Sequence, residues 1–430
     1  MNYRDRLLKV IPGGAHTYSR GHDQYPVNAP QILARGAGAY VFDADGNRFL
    51  DYGMALRAVH LGYAEEEIDQ AAWRQIRAGN NLTRPSLIEL EAAETFVSLI
   101  DSVDMVKFTK NGSTSVSAAV KLARAYTGRE LVARCAEHPF FSYDDWFIGS
   151  TPITRGIPAE TIEKTKMFAY NDLASLEALL ERNRGEYACV VLEPASTHEP
   201  APGFLPGVEA LCRKHGAVFI LDEMITGFRW HMKGAQHLYG VTPDLCTFGK
   251  AMANGFSVSC VAGRREIMEL GSIEFEGRER VFLLSTTHGA EMAGLGAFVA
   301  TMDFMQRNDV VAHLWDYGAK LVAMLNRRAA AHGIDASFKA GGIACSPYFA
   351  TLGADGKPSL PLRTLFLQEM IRHGVLMPWI ALSYRHGDAE LAFTEQAADK
   401  AFAIYRRALD EGVDKHLVGP AIKPVFRKFN

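Results

Sequence analysis

A short apolar run that ends abruptly in two acids is the feature that most constrains the fold of this chain. Val218–Leu221 contains only apolar residues, and Asp222 and Glu223 follow it at once. Such a run is typical of a strand that is buried on both faces of a parallel sheet. Ligands of these sheets bind beyond the carboxyl ends of the strands. Asp222 is therefore predicted to lie where chemistry takes place.

A second apolar run, Leu245–Phe248, ends in Gly249 and Lys250. An acid and a lysine would then emerge at neighbouring strand ends of one sheet. Pyridoxal phosphate (PLP) needs this pair, because the lysine forms a Schiff base and the carboxylate keeps the pyridine nitrogen protonated. Acids also end many buried strands, and Gly-Lys is common in solvated loops. These two elements alone leave a purely structural interpretation open.

Length and charge exclude several classes of protein. The chain has 430 residues, which is too long for one small core and predicts two or three structural units. Its composition is 48% hydrophobic and 22% charged, as in ordinary globular proteins. The net charge is −3, and acidic and basic residues are interspersed. The sequence has no basic stripe that would indicate a nucleic-acid partner.

The cysteine pattern and the lengths of the apolar segments indicate the cellular compartment and bear on whether the protein binds a metal. The six cysteines are scattered, mostly inside apolar runs, and form no CxxC or His/Cys cluster. This pattern predicts buried free thiols in a reducing compartment and no metal site. The first residues lack the apolar core of a signal peptide, and no run reaches the roughly 18 residues of a membrane span. A cytoplasmic location without membrane contact is expected.

The order of predicted elements indicates an α/β protein. Strands and helices alternate over about residues 104–263, which predicts a mostly parallel sheet with helices on both faces. Before this region, residues 39–51 predict a hairpin around an Asp-Gly turn. From about residue 303, a long amphipathic helix, short strands and a final helix predict a separate α+β unit.

A polar turn follows the first strand of the alternating region. Met105–Thr109 is predicted to be a strand, Lys110–Ser115 a turn, and residues 116–126 a helix rich in alanine. Free backbone N–H groups, hydroxyls and the positive end of the helix dipole would together form a cradle for an anion. Serine and threonine are also ordinary N-caps, so a capping role is an equally good explanation.

Taken together, these elements resemble the class III aminotransferases of PLP fold type I, and among them glutamate-1-semialdehyde 2,1-aminomutase. The resemblance covers about residues 11–411. Its most specific blocks are residues 11–14 (IPGG), 122–129 (LARAYTGR), 221–229 (LDEMITGFR) and 249–250 (GK). It implies a large PLP-binding domain with a seven-stranded, mostly parallel sheet at 56–302. A smaller α+β domain would combine residues 1–55 with residues 303–430.

The resemblance also implies roles for individual residues. Lys250 corresponds to the Schiff-base lysine and Asp222 to the partner of the pyridine nitrogen, and these two are the predicted catalytic residues. The phosphate cup corresponds to Asn111, Gly112 and Ser113. Glu193 corresponds to the acid that closes the preceding strand. Thr286 corresponds to a threonine that reaches the phosphate from the other subunit, which implies a homodimer with shared active sites.

Several cofactor-side positions depart from the family pattern. The family's Tyr-His-Gly, whose aromatic ring stacks on the cofactor, is replaced by residues 138–141 (HPFF). Phe140 is predicted to stack, although the alignment also permits a shift by one residue. His198 stands where the aminomutase has an asparagine near the phenolic oxygen of the cofactor, and Met224 replaces a valine under the ring. All of these residues are predicted to contact PLP.

The predicted substrate side differs more strongly. Taken alone, Arg20 is better explained as a surface charge. The resemblance reverses that preference, because Arg20 lies seven residues after Gly13, as does the arginine that binds the substrate carboxylate in the aminomutase. Leu56-Arg57 replaces an aromatic-glycine pair. The segment 379–387, with Tyr384 and Arg385, does not match the family's late substrate loop. The predicted substrate-binding residues are therefore Arg20, Arg57, Tyr384 and Arg385, in a substrate wall that is rebuilt relative to the aminomutase's.

Three classes of function follow from these residues. The leading prediction is PLP-dependent transfer of an amino group, with Lys250 also moving the proton. An aminomutase would keep one small carboxylate substrate bound, whereas an aminotransferase would admit a second carbonyl compound, such as a sugar-like one. A PLP lyase or decarboxylase would use the same lysine and aspartate. A dimer that has lost its activity is the third class, and the joint presence of Lys250, Asp222 and Glu193 disfavours it.

Overall fold

The computed structural model describes residues 2–430. The strands are β1 Leu33–Ala37, β2 Tyr40–Asp43, β3 Arg48–Asp51, β4 Met105–Thr109, β5 Leu131–Cys135, β6 Thr165–Phe168, β7 Tyr187–Leu192, β8 Val218–Asp222, β9 Leu245–Phe248, β10 Ser259–Gly263, β11 Phe338–Ile343, β12 Ser346–Thr351 and β13 Val375–Leu376.

The helices and helical turns are α1 Tyr3–Val10, α2 Met54–Arg57, α3 Glu66–Arg77, α4 Leu87–Leu99, α5 Gly112–Thr127, α6 Asp145–Ile148, α7 Ala159–Glu163, α8 Leu173–Arg182, α9 Phe204–His215, α10 Ala235–Leu238, α11 Arg265–Met268, α12 Met292–Arg307, α13 Val310–Ala331, α14 Leu360–Arg372 and α15 Asp388–Glu411. None of the helices in residues 2–430 is long and apolar enough to cross a membrane.

The chain divides into two compact units. The terminal unit consists of the described residues up to Glu65 together with Ala312–Arg427. The sheet unit consists of Glu66–Val311 together with Lys428–Asn430. The boundaries predicted from the sequence, at 55/56 and 302/303, each lie about ten residues before the observed changes of unit.

A seven-stranded sheet forms the centre of the sheet unit. The strand order is β4-β10-β9-β8-β7-β5-β6. Neighbouring strands from β9 to β6 are parallel, whereas β10 is antiparallel to both β9 and β4. The predicted, mostly parallel sheet is therefore confirmed. The antiparallel β10 follows a chain reversal that the apolar pattern alone does not indicate.

Burial on both faces explains the sequences of the central strands. Every residue of β7, β8 and β9 is buried. Each strand is accordingly an apolar run without the alternation of a half-exposed strand. Such strands end where a polar residue must leave the core, which places Asp222 at the carboxyl edge of the sheet. All six cysteines are buried and free, as predicted.

Helix α5 begins four residues earlier than the predicted start at residue 116. The side chain of Asn111 accepts a hydrogen bond from the backbone N–H of Thr114 at 2.9 Å and so caps the helix before Gly112. The helix ends at Gly128, whose φ of 67° is the left-handed conformation that glycine adopts most easily. The prediction missed the first turn because Gly-Ser-Thr-Ser has low helix propensity, which the cap offsets.

The terminal unit contains two smaller sheets. Strands β1, β2 and β3 are antiparallel neighbours, and β13 adds to β3 in parallel. The β2–β3 pair is the hairpin that the sequence predicts around its Asp-Gly turn. Strands β11 and β12 form a separate antiparallel pair. The parallel pairing of β13 with β3 brings residues after Leu376 beside residues after Asp51 in this unit.

Candidate active site

Asp222 and Lys250 follow adjacent parallel strands. Asp222, the last residue of β8, is in register with Thr247 of β9, and Lys250 comes three residues after Thr247. Burial raises the pKa of Asp222, and the nearby positive charge of Lys250 acts in the opposite direction. The sheet therefore brings together the two residues that the sequence predicted to be catalytic.

One oxygen of the Asp222 carboxyl group accepts hydrogen bonds from the protein, and the other is open to a ligand. Its Oδ1 accepts hydrogen bonds from the backbone N–H of Met224 at 2.9 Å and from Thr247 Oγ1 at 3.1 Å. Among the described residues, none donates a hydrogen bond to Oδ2. Burial raises the pKa of Asp222 to about 6. A buried carboxylate with an open oxygen is suited to a cationic N–H donor such as a protonated pyridine.

Close packing and backbone strain position Lys250. Its φ is 44°, in the left-handed region that is unfavourable for residues with a side chain. A Cβ atom on the preceding Gly249 would overlap Ser259 Oγ and would lie 2.7 Å from Met224 Sδ. Gly249 is therefore required by close approach. Strain of this kind concentrates at functional sites.

The turn after β4 has the features of an anion site. The N–H groups of Gly112 and Ser113 lie in the first turn of a 16-residue helix and have no acceptor within it. Asn111 is occupied as the cap, since its Oδ1 accepts hydrogen bonds from both Thr114 N and Thr114 Oγ1. Ser113 is buried, and its Oγ accepts a hydrogen bond from Tyr143 N at 3.2 Å. Backbone N–H groups thus dominate the cradle.

Met224 connects this cradle with the lysine. A Cβ atom on Gly112 would lie 2.8 Å from Met224 Sδ, close to the 2.7 Å found for Gly249. The thioether therefore occupies the space beside both glycines, and neither position tolerates a side chain. Met224 is placed to form an apolar wall between the anion cradle and Lys250.

The two phenylalanines after β5 differ in exposure. Phe141 is 2% exposed and packs edge-on against Phe147, with ring centroids 5.6 Å apart. Phe140 is 47% exposed, although its ring also contacts Phe147. The exposed ring of Phe140 is accessible to a ligand, whereas the ring of Phe141 is packed in the core. The difference favours Phe140 over a register shifted by one residue.

His138 contributes to the site in a way that the sequence interpretation missed. Its Nδ1 accepts a hydrogen bond from the backbone N–H of Glu193 at 3.0 Å, which ties the end of β5 to the end of β7. Burial lowers the pKa of His138 to about 3, so the ring is neutral with its proton on Nε2. Glu193 is itself buried. The sequence signal for this role was a histidine that lies three residues after the buried strand β5.

The acid next to Asp222 has a different task. Glu223 is buried and accepts hydrogen bonds from Ala235 N at 2.9 Å, from Gln236 N at 2.8 Å and from the hydroxyl of Thr226. These bonds fold the segment after β8 back on itself and start helix α10. Of the two acids that follow the apolar run, Glu223 supports the loop, and Asp222 lies at the strand end adjacent to the one that precedes Lys250.

His198 and Thr286 lie on exposed loops of the sheet unit. His198 is exposed, and its Nδ1 is 2.9 Å from Thr197 Oγ1. Thr286 is exposed in this chain. The segment that carries Thr286 is held by Asn81, whose side-chain N–H donates to the carbonyl of Thr287 at 3.1 Å. The roles predicted for both residues remain predictions.

The four predicted substrate residues belong to the terminal unit and have different surroundings. A cavity of about 660 Å³ in this unit is lined by Arg20, together with residues that include Asp51, Leu56, Tyr63 and Trp379. Of the four, all within residues 2–430, only Arg20 lines it.

The other three have partners in their own unit. Arg57 Nη1 donates to Ser346 Oγ at 2.8 Å. Arg385 forms a bidentate ion pair with Glu65, with N···O distances of 2.7–2.9 Å. The ring of Tyr384 packs edge-on against His313. The bidentate pairing disfavours the use of Arg385 as a carboxylate anchor.

Comparisons with known proteins agree with this geometry. The family model described as aminotransferase class-III matches residues 18–375. The chain belongs to the class III aminotransferase family. It is 31% identical, over 95% of its length and 98% of the relative's, to the 3-aminobutyryl-CoA aminotransferase of Cloacimonas acidaminovorans (strain Evry).

Solved structures of class III aminotransferases and their neighbours confirm fold type I. The PLP internal aldimine form of the FumI protein of Sphingopyxis sp. MTA144 has a TM-score of 0.86 at 28% identity, covering 95% of this chain and 97% of that one. A glutamate-1-semialdehyde aminomutase from Pseudomonas aeruginosa PAO1 has a TM-score of 0.82 at 20% identity, covering 94% of both chains. The aminomutase similarity therefore concerns the fold.

Membership of this class III aminotransferase family establishes the cofactor and the reaction type. The chain is a PLP-dependent aminotransferase that acts on small-molecule amino donors and acceptors. Its own residues fit PLP, because the open oxygen of Asp222, the backbone cradle at Gly112 and the lysine after Gly249 belong to one edge of one sheet. These three features supply a carboxylate, an anion cradle and an amine, which are groups that PLP requires.

Proposed function

We propose that this aminotransferase transfers amino groups between two molecules, and that one of them carries an acidic group and is bulkier than glutamate semialdehyde. The cavity that contains Arg20 carries this proposal. Its volume of about 660 Å³ falls within the roughly 300–1,000 Å³ of sites for ligands of drug size. A small five-carbon amino acid would fill only part of it.

Sequence similarity supports the same choice. The relative at 31% identity is named for an aminoacyl-CoA substrate, which combines a large group with acidic phosphates. The similarity to the aminomutase, at 20% identity, extends to the fold alone. A thioester or another bulky acidic derivative is therefore a better candidate than a small substrate retained through both halves of the reaction.

The residues of the sheet unit have separate tasks in this proposal. Bound PLP supplies an electron sink that stabilises negative charge at the substrate carbon. Asp222 keeps the proton on the ring nitrogen, and Lys250 holds the cofactor and carries the proton to and from the substrate carbon. The backbone N–H groups of Gly112 and Ser113 bind the phosphate, and Asn111 caps the helix that presents them. Phe140 and Met224 enclose the ring and exclude water.

The two-molecule reaction can be tested directly with purified enzyme. An excess of a bulky acidic amine should yield one equivalent of carbonyl product per active site, because the cofactor keeps the amino group, and further turnover should require an added keto acid. Sustained conversion of glutamate-1-semialdehyde without an acceptor would establish the aminomutase instead. Release of CO₂ in the single-substrate reaction would indicate a decarboxylase. Turnover only with sugar-like ketones would show that the acceptor is a polyol-like carbonyl compound and not an acidic one.

Arg20 is proposed to bind the acidic group of the substrate. Replacement by alanine should raise KM for carboxylate-bearing donors by an order of magnitude or more, since a hydrogen bond to a charged group contributes about 1.5–3 kcal/mol. Donors without an acid should be little affected. The comparison uses matched donors with Arg20→Ala and with Arg327→Ala, an exposed arginine that pairs with Glu395. Equal losses on both donors would make Arg20 structural.

Thr286 is proposed to contact the phosphate of the partner subunit in a homodimer. Thr286→Ala should weaken PLP binding by roughly 10-fold or more, as expected for a hydrogen bond to a charged group. The neighbouring Thr287→Ala is the control, because Thr287 is held through its carbonyl and not through its hydroxyl. Fluorescence titration of PLP at several protein concentrations should also show weaker binding on dilution. A fully active monomer in light scattering would contradict the shared site.

A further inference from the structure

The turn Met54–Arg57 is wound in the left-handed sense. The φ angles of Met54, Ala55, Leu56 and Arg57 are 39°, 47°, 63° and 69°. The ψ angles of Ala55 and Leu56, 48° and 38°, complete the left-handed helical conformation. Single residues visit this region, but four in succession without a glycine are exceptional because each Cβ crowds its own backbone.

Asp51 provides the contacts that hold this turn. Its carboxylate accepts hydrogen bonds from Gly53 N at 2.7 Å, from Met54 N at 3.1 Å and from the hydroxyl of Tyr63 at 2.7 Å. The side chain is 4% exposed, so water does not compete for these bonds. A carboxylate at the end of β3 thus fixes the first peptide groups of the turn.

Two further side chains hold the turn from other elements of the terminal unit. The indole of Trp379 donates to the carbonyl of Gly53 at 3.1 Å. Arg57 Nη1 donates to Ser346 Oγ at 2.8 Å, which draws the guanidinium toward β12. The beginning and the end of the turn are therefore anchored separately, and its conformation is determined by groups outside it.

The turn forms part of the wall of the cavity that contains Arg20. Ala55 and Leu56 line this cavity together with Asp51 and Trp379, whereas Arg57 lies outside the lining. A right-handed or extended course over the same residues would move the Leu56 side chain. The handedness of the turn consequently decides which side chain borders the substrate.

We propose that Asp51 is a positioning residue that keeps Met54–Arg57 left-handed, and that Leu56 thereby determines specificity for the bulk of the substrate. This inference rests on the proposed use of the Arg20 cavity by the substrate. In it, Arg57 is a structural anchor of the turn and not a ligand of the substrate. The energetically unfavourable backbone is retained because it places an apolar side chain in the wall of the cavity that Arg20 also lines.

Leu56 provides the first test, on the intact PLP-loaded enzyme. Leu56→Ala should shift the ratio of kcat/KM for a bulky over a small acidic donor upward by roughly 10-fold, and Leu56→Phe should shift it downward, as expected for methylene-scale changes in a pocket. The PLP absorbance band and PLP affinity should stay unchanged. An unchanged donor ratio in both variants would overturn the proposed role of Leu56.

Asp51 is tested by loss and rescue. Asp51→Asn should change the same donor ratio, mainly through KM, without altering PLP binding. Adding Ala55→Gly should restore part of the original ratio, because glycine adopts positive φ without crowding. If Asp51 were merely structural, Asp51→Asn would lower stability and kcat for all donors alike, and adding Ala55→Gly would not restore the donor ratio.

The turn itself can be examined apart from catalysis. Ala55→Gly alone should leave the melting temperature unchanged or raise it, whereas Ala403→Gly, on the exposed face of the right-handed helix α15, should lower it. A loss at Ala55 as large as that at Ala403 would refute the strained turn. The two proposals can fail separately. If Arg20→Ala affects donors with and without a carboxylate equally, the proposed substrate site is wrong. If Ala55→Gly is nevertheless not destabilising, the strained left-handed turn is still supported.

Discussion

Replacement of Lys250 by alanine is expected to abolish turnover while PLP still binds. The cradle at Gly112–Ser113 and the carboxylate of Asp222 would remain in place, so the cofactor keeps its noncovalent contacts. The variant would lose both the covalent attachment point and the base that moves the substrate proton. A single proton-transfer group contributes roughly 10²–10⁴-fold to rate, and the loss here should be at least that large.

The measurement combines kinetics with chemical trapping. Borohydride reduction of the wild type should fix the cofactor to the peptide that contains Lys250, and the alanine variant should release it on denaturation. Lys233→Ala is a suitable control, since Lys233 pairs with Asp101 at the surface of the same unit. Mapping of the reduced cofactor to a different lysine would refute the assignment.

The carboxyl edge of the sheet was predictable from the sequence because strands that are buried on both faces consist of continuous apolar residues. Strands β8 and β9 are continuous apolar runs, and each ends where the first polar residue or glycine appears. That pattern fixes which residues emerge at the edge without knowledge of any distant contact. Asp222 and Lys250 could therefore be paired before the structure was known.

The terminal unit was harder to predict because its geometry depends on partners far apart in the chain. Arg385 is bound by Glu65, and Arg57 by Ser346, across separations of roughly 300 residues. No local pattern distinguishes an arginine held by such a partner from one that awaits a substrate. The left-handed turn at Met54–Arg57 is likewise invisible in a sequence without glycine, because the carboxylate of Asp51 imposes it.

The second large effect is expected at Asp222. Asp222→Ala removes a buried, charge-assisted partner of the pyridine nitrogen and should lower kcat by roughly 10²–10³-fold, as for the loss of one preorganised electrostatic group. Asp222→Glu should be intermediate, since it keeps the charge but shifts its position. Asp244→Asn serves as the control, because Asp244 precedes β9 at the opposite edge of the sheet and binds Phe219 N and Arg264. Near-normal rates for Asp222→Ala would contradict the assignment.

The same carboxylate should make the stability of the PLP-free protein depend on pH. Burial raises the pKa of Asp222 to about 6, above its value in the unfolded chain. The folded state therefore binds the proton more tightly, and stability decreases as pH rises from about 4 to about 6. At pH 7 the difference of about two units corresponds to roughly 3 kcal/mol of destabilisation.

Asp222→Asn removes this titration and keeps an oxygen for Met224 N and Thr247 Oγ1. Denaturant unfolding without PLP should find the asparagine variant more stable than the wild type above pH 6. The advantage should shrink as pH falls through the folded-state pKa of about 6, and it should level off below the ordinary aspartate pKa of about 4, where the wild-type carboxyl group becomes protonated in both states. Bound PLP should cancel the advantage, because its ring nitrogen gives the buried carboxylate a cationic partner. A difference in unfolding free energy that stays constant between pH 4 and pH 7 would show that burial of this carboxylate does not cost the protein stability.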